Sequence, residues 1–253
     1  MKLVKKAGIL LIGILLVSSV TFAKPIKTEH QLDILGQTAV GEGGWFIEQA
    51  TDPNWDKWYY TVTDLNHDGN LEILKAKSGF DDGQPQLQCE ELVEGKWERH
   101  FGVKLAGSTR MPDILTSESA GQPVMIYEPK NKRYYYIFTE VLRHSEFDST
   151  STLYAISLDG DLSIEALASK EWQLSGYDGS EKQRFYRLTP LTAEISEDEY
   201  GNIIQEIFPG CEESGAQLKW WQAKELLPYI ERVRVFFQLA EAYNFFSKTG
   251  VIQ

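Results

Sequence analysis

Trp58 to Ala76 reads WYYTVTDLNHDGNLEILKA and carries the strongest structural signal in the chain. Its opening residues are aromatic or β-branched, which favours a β-strand. The run from Leu71 to Ala76 alternates apolar and polar side chains, which indicates a second, half-buried strand. The Asp, Asn and Gly residues between the two runs are typical of a turn. The stretch therefore predicts a β-hairpin.

The turn of this hairpin places oxygen-bearing side chains at alternate positions. They are Asp64, Asn66, Asp68, Asn70 and Glu72. Gly69 permits the sharp turn that a wrapped loop requires. Calcium takes six to eight oxygen ligands, whereas zinc prefers thiolate and imidazole, so this spacing favours Ca²⁺. We predict Ca²⁺ as the cofactor, bound by these five residues, with Asn70 acting through its backbone carbonyl. The alternative is an acidic turn without metal.

The segment from Tyr59 to Leu74 resembles the calcium loop of FG-GAP repeats, as found in the propeller of integrin α-subunits. In those repeats a strand enters D-x-N-x-D-G-x-x-D/E and another leaves it. An EF-hand is excluded because its twelfth loop position requires Glu, and that position here is Lys75. The resemblance covers about 16 residues and implies a calcium-stabilised, blade-like hairpin with Glu72 as the last metal position. It does not imply adhesion.

Seven further strands are predicted, and turn residues separate each from the next. They cover Gln86 to Leu92, Lys96 to Phe101, Pro123 to Tyr127, Tyr134 to Val141, Ser151 to Ser157, Leu162 to Ala168 and Arg184 to Leu188. Their regular spacing is typical of an antiparallel meander. We predict a mainly β (α+β) fold, with an antiparallel β domain over residues 24–190. The chain is too short for a complete propeller plus a helical segment, so a smaller sheet assembly is expected.

The pattern changes to helical spacing in the last part of the chain, residues 191–253. Ser196 and Glu199 form a capping box, which predicts a helix from Glu197 to Phe208. A longer helix is predicted from Ala223, with one apolar stripe packed across the sheet. Its residues are Leu226, Ile230, Val233, Phe237 and Ala240. The alternative role for this helix is binding a protein partner.

The first 23 residues are predicted to be a secretory signal peptide. Three lysines precede an apolar run from Ala7 to Val20, and Thr21 to Ala23 form a small-residue cleavage site. The apolar run is too short to span the ~30 Å hydrocarbon core. We therefore expect a secreted or periplasmic protein, with no membrane segment after cleavage. The net charge of -12 argues against nucleic acid as a partner, because phosphate binding depends on Lys and Arg.

The remaining reactive residues give weaker indications. Cys89 and Cys211 would form a disulfide or remain two reduced thiols, and the sequence leaves both open. The glutamates between Glu90 and Glu98 are interpreted as a solvated strand face. The four histidines are isolated, and no nucleophile elbow, phosphate loop or dinucleotide fingerprint is present.

These features predict an exported calcium-binding β protein that acts as a non-catalytic binding or interaction module. Its partner would be a protein or a glycan. Large aromatic side chains such as Trp220 and Trp221 are core material first, and the alternative is that they stack on sugar rings. No catalytic residue is predicted. The alternative is a secreted carbohydrate-active hydrolase with an unidentified pair of carboxylates, which sequence cannot reveal because the pair is defined by its spatial separation.

Overall fold

The computed structural model describes residues 27–40, 54–79, 85–100, 104–108, 110–115, 122–175, 179–226 and 232–249. The predicted signal peptide, Met1 to Ala23, lies outside the described residues, as does Ile230. Strand accounts for 49% of the structure and helix for 21%, which confirms the predicted mainly β fold. In the part of the chain that is described, no helix is both long enough and apolar enough to cross a membrane.

The thirteen described strands are numbered in the order of the chain. They are β1 (Trp58–Thr63), β2 (Glu72–Lys77), β3 (Gln86–Val93), β4 (Lys96–His100), β5 (Lys104–Ala106), β6 (Val124–Glu128), β7 (Arg133–Ser145), β8 (Asp148–Asp159), β9 (Asp161–Leu174), β10 (Glu181–Arg187), β11 (Ala193–Ile195), β12 (Glu212–Gly215) and β13 (Trp221–Gln222). The α-helices are α1 (Thr28–Val40), α2 (Glu197–Gly201), α3 (Ile203–Ile207), α4 (Ala223–Leu226) and α5 (Arg232–Thr249).

The strands form two sheets. Sheet A has the order β13-β1-β2-β3-β4, and sheet B has the order β11-β10-β9-β8-β7-β6-β12, with β5 beside β9. Consecutive strands pair antiparallel within each sheet, as a meander does. The pairing of β5 with β9 is parallel. In the β1–β2 hairpin, Trp58 lies opposite Lys77 and Thr63 opposite Glu72, so the predicted hairpin is confirmed.

The two sheets pack face to face across the largest hydrophobic core. Leu74 and Cys89 of sheet A share this core with Tyr136, Phe138 and other residues of sheet B. Successive residues of a strand point to opposite faces of the sheet, and Ile137 accordingly belongs to a second core on the outer face of sheet B. Because both faces of its central strands are covered, the apolar run in β7 is nearly continuous.

Helices cover the outer faces of both sheets. On sheet A, Leu35 of α1 and Leu239 of α5 pack with Tyr60 and Ile73. On sheet B, α3 and the following Phe208 cover the outer core. The molecule is therefore layered as helix, sheet, sheet and helix. The β1–β2 hairpin belongs to sheet A, where its connecting loop reaches the boundary between the two sheets.

The C-terminal predictions need three corrections. The helix predicted from Glu197 to Phe208 is two short helices interrupted at Asn202, although its capping box is present. The predicted stripe is wrong at Phe237, which is 64% exposed, whereas Ala240 packs against the core beneath α5 as predicted. The side chains of Leu226 and Val233 lie outside the described part of the chain. The third correction is that this segment also supplies β11, β12 and β13 to the sheets.

The cysteines and the glutamate run are also resolved by the fold. Cys89 is buried between the sheets, whereas Cys211 packs against the outer core of sheet B, and both thiols are free. The solvated face expected from Glu90 to Glu98 is wrong at its start, since Glu90 and Glu91 are 3% and 7% exposed. These two residues are buried because β3 is an interior strand of sheet A, between β2 and β4.

Candidate metal centre

The loop between β1 and β2 has a backbone that only particular residues tolerate. His67 has φ 55° and Gly69 has φ 90°. Glycine adopts such positive values without strain, which explains its position at the sharpest point of the loop. A tight loop brings alternate side chains to its concave side, as a wrapped cation site requires.

The oxygen side chains of the loop contact one another and its backbone. Asn66 and Asn70 both donate from Nδ2 to Asp68 Oδ2, each at 3.1 Å. Asp68 Oδ1 accepts from the Asn70 amide at 2.7 Å. Asp64 Oδ1 accepts a longer bond of 3.4 Å from the Gly69 amide. Four of the five predicted ligands thus gather around one turn of backbone.

Glu72, the fifth predicted ligand, begins β2 and is fully buried. Its Oε2 accepts from the Leu65 amide at 2.7 Å and from Thr63 Oγ1 at 3.0 Å. Its Oε1 is buried with no hydrogen-bond partner in the described part of the chain. Burial first, and then the Asp64 and Glu91 carboxylates, hold the pKa of Glu72 well above its usual range. An ionised carboxylate in this place needs a positive charge beside it.

Asp64 experiences the same cost of burial. Desolvation, and to a smaller extent the Asp68 and Glu91 carboxylates, raise the pKa of Asp64 to about 7. The hydrogen bond from the Gly69 amide acts in the opposite direction and favours the charged form. Like charges brought together away from water disfavour ionisation, and a divalent cation between them removes that penalty.

These residues fit Ca²⁺ better than a softer metal. Among the described residues, no three His, Cys, Asp or Glu side chains are arranged to hold a metal ion by themselves. The Asp64, Asp68 and Glu72 carboxylates therefore do not form a metal site by themselves. A calcium site at this loop would also need the Asn66 side chain and the Asn70 backbone carbonyl, which are ligand types that calcium accepts. A groove of about 470 Å³ reaches the loop at Asn66, and its other lining residues belong to β7, β8 and the adjoining turns.

Sequence reasoning missed Glu91, which lies directly opposite Glu72 in the β2–β3 pairing. Its Oε1 is 3.4 Å from Asn70 Nδ2, and its Oε2 is 3.0 Å from His100 Nε2. His100 Nδ1 donates to the Gly160 carbonyl at 2.7 Å, since a carbonyl can only accept. Glu91 could have been found only from the pairing register, because residues that lie opposite each other in antiparallel strands share a face.

Other elements hold the loop from several directions. Gln31 of α1 donates to the Gly69 carbonyl at 2.6 Å and accepts from the Leu71 amide at 2.8 Å. Tyr136 of sheet B donates from its hydroxyl to the Leu65 carbonyl at 3.1 Å. The His67 ring lies 4.0 Å from the Tyr134 ring and 5.8 Å from that of Phe246 in α5. The loop therefore contacts sheet B, α1 and α5 in addition to its own sheet A.

The tryptophans considered for sugar stacking differ in exposure, and Trp220 and Trp221 are half-buried. Trp58 is buried, and the Trp220 and Trp221 indole nitrogens are also buried. A different tryptophan, Trp172, lines a groove of about 820 Å³ on sheet B.

Comparison with protein-family models, curated proteins and solved structures finds no match to this chain. The structure by itself defines a mainly β protein of two packed antiparallel sheets, with an oxygen-rich loop at their boundary.

Proposed function

We propose that this chain is an exported β protein in which one Ca²⁺ ion at the β1–β2 loop clamps the two sheets and the outer helices together. The observation that carries the proposal is the buried Glu72 carboxylate, whose Oε1 has no hydrogen-bond partner among the described residues. Burying an unpaired carboxylate costs several kcal/mol unless a cation accompanies it. Asp64, Asn66, Asp68 and the Asn70 carbonyl supply the remaining oxygens.

Because of the loop's position, a bound calcium ion would stabilise contacts between several elements and not the loop alone. Gln31, Tyr136 and His67 tie the loop to α1, to sheet B and to the aromatic side chains around α5. An ion that orders the loop would therefore strengthen contacts made by elements far apart in the sequence. A binding module benefits from this arrangement, because a rigid scaffold holds its surface grooves in one shape.

The acidic residues of one surface groove are exposed, which bears on whether this groove could serve a hydrolase. In the smaller groove on the outer part of sheet B, Asp148 and Glu171 face solvent beside Lys182 and Arg184. Glu171 is exposed and accepts a hydrogen bond from the Tyr186 hydroxyl. A glycosidase general acid requires an environment that keeps it protonated near neutral pH, usually through burial. An exposed carboxylate among cations lacks that environment, so this groove gives no support for hydrolysis.

Hydrogen exchange in calcium and in chelator tests the clamp. Calcium should slow exchange in the β1–β2 loop and also in α1, β7 and α5, because these elements meet at the loop. The Asp68→Ala variant should show no calcium-dependent protection. As a matched control, Asp198→Ala removes an exposed carboxylate from α2, which contacts β10 of sheet B, and should behave as the wild type. Protection confined to the loop, or equal protection in Asp68→Ala, would exclude the clamp.

The export part of the proposal has its own test. If residues 1–23 are a signal peptide, the protein recovered from the secreting cell begins at Lys24. Intact-mass and N-terminal analysis distinguishes this from a chain that retains Lys2 to Val20. Retention would exclude export by signal cleavage and leave the calcium proposal unaffected.

A further inference from the structure

The strands at the centre of sheet B extend past its hydrophobic cores. On β8 and β9 the cores use Leu153, Tyr154, Leu167 and neighbouring residues. Beyond them, residues 141–151 and 170–175, together with 179–184, form a distal ribbon whose side chains are mostly half-buried or exposed. None of these residues belongs to a core cluster. The ribbon is thus a paired extension of sheet B, with one register shift between Arg143 and Ser145, that the described core does not need.

The pairing register shapes one face of the distal ribbon into a groove. Arg143 of β7 lies opposite Ser149 of β8, which lies opposite Trp172 of β9. In the next row on the same face, Ser151 lies opposite Lys170. The two serines are the smallest side chains of their rows, so they form a floor along β8. Arg143 forms one wall, and Trp172 and Lys170 form the other.

The dimensions of this groove suit a chain of sugar rings. Neighbouring strands are ~4.8 Å apart, which separates the backbones beneath the two walls by about 10 Å. The groove has a volume of about 820 Å³, within the range of roughly 300–1,000 Å³ typical of small-ligand sites. Its floor runs parallel to β8, so a linear ligand would extend along the strand.

The chemistry of the walls selects a negatively charged ligand. Arg143 presents a planar fork that matches a carboxylate, and Lys170 adds a second positive charge. The only acidic residue in the described lining is Glu146, although the whole chain has a net charge of -12. Charges further apart than ~8 Å are largely screened at physiological ionic strength, so the nearby cations decide the local preference.

The remaining lining residues favour a sugar over a peptide or a free anion. The half-buried Trp172 indole offers an apolar surface for a sugar ring. Its position is set by β9, the strand on which it lies. Ser149 and Ser151 hydroxyls both donate and accept hydrogen bonds, as sugar hydroxyls do. Lys170 Nζ is held beside the groove by the Phe185 ring, 5.7 Å from its centre. We propose that this groove binds a carboxylated oligosaccharide, with its acid groups on Arg143 and Lys170 and one ring on Trp172.

Calorimetric titration of the whole chain with trigalacturonate tests the proposal. Chelator is present throughout, so that calcium bridging between acidic groups is absent. Wild type should bind with a Kd at or below ~1 mM, and added salt should weaken binding. The same trisaccharide as its methyl ester should bind at least about tenfold more weakly, because the Arg143 and Lys170 contacts require carboxylates.

Variants separate the groove from the rest of the ribbon. Arg143→Gln and Trp172→Ala should each weaken binding about tenfold or more. Arg184→Gln removes a cation from the opposite face of the ribbon and should leave affinity unchanged. Trp172→Phe keeps an aromatic ring if the alanine variant does not fold, and Ser149→Leu should block the floor while preserving both walls. Circular dichroism verifies that each variant is folded.

Four results would overturn the proposal. They are no binding at ~10 mM trigalacturonate, equal binding of the methyl ester, equal loss in Arg184→Gln, and equally tight binding of hexaglutamate, which would indicate an anion site without sugar recognition. The groove does not depend on the calcium proposal, so either can fail while the other stands.

Discussion

Replacing Asp64 by Asn tests the energetic reasoning at the candidate metal centre. Asn keeps an oxygen that can accept from the Gly69 amide, but it removes the buried charge. The pKa of Asp64 is raised from 3.8 to about 7, and each pKa unit corresponds to about 1.36 kcal/mol. In chelator at pH 8, the ionised Asp64 should therefore cost the folded state up to about 4 kcal/mol relative to a neutral side chain. The variant should be more stable than the wild type by up to this amount.

The pH dependence of this difference has a definite sign. A carboxyl group whose pKa is higher in the folded state binds its proton more tightly there, so it favours folding at low pH. Its contribution is lost as pH rises from about 4 through 7. In chelator, the advantage of Asp64→Asn should accordingly shrink to about 1.5 kcal/mol at pH 5.

Calcium should affect the two proteins differently. For a Kd of about 10⁻⁴–10⁻³ M, ~5 mM Ca²⁺ stabilises the wild type by roughly 1 to 2.3 kcal/mol. This raises Tm by about 2–9 °C for a chain of this size. Asp64→Asn should show almost no calcium response. Thermal unfolding followed by circular dichroism, at pH 5 and pH 8 with and without calcium, measures both the stability difference between the two proteins and the calcium-dependent shift in Tm. A variant less stable than the wild type in chelator at pH 8, with an unchanged calcium response, would refute this reasoning.

Three further predictions concern packing and thiol chemistry. Leu239→Ala should destabilise the protein by about 2–5 kcal/mol in urea unfolding, whereas Phe237→Ala should change stability by less than about 0.5 kcal/mol; similar losses would contradict the observed face of α5. Gln31→Ala leaves two backbone groups of the loop without their partner and should cost about 1–3 kcal/mol for each group that remains unsatisfied, while a cost near zero would show that α1 does not support the loop. Thiol titration without reductant should find Cys89 unreactive in the folded protein, and both Cys89 and Cys211 reactive in denaturant; two missing thiols would indicate a disulfide.

The sequence was sufficient for features that depend on local pattern. The strands of the meander follow from alternation and turn residues, and the capping box at Ser196 follows from the spacing of two side chains. Features that depend on long-range packing could not be predicted. The buried face of α5 depends on which of its residues meet sheet A, and the short strand β12 is defined mainly by its pairing with β6.

The candidate site likewise includes residues that the sequence predicts and one that it does not. The five oxygen-bearing residues of the loop are visible in sequence because they are spaced within one turn. Glu91 is not visible, because only the register of β2 with β3 places it opposite Glu72. The groove on the distal ribbon is invisible for the same reason, since Arg143, Ser149 and Trp172 come from three strands and form a row only through pairing.

Direct titration of calcium into the chelator-treated protein tests the central claim most closely. We expect one Ca²⁺ per chain with a Kd of about 10⁻⁴–10⁻³ M and much weaker binding of Mg²⁺, whose octahedral shell suits a flexible all-protein loop poorly. Asp68→Ala should abolish the binding heat, and Asp198→Ala should preserve it. Absence of binding at ~5 mM Ca²⁺, or undiminished binding by Asp68→Ala, would contradict a calcium site at the β1–β2 loop.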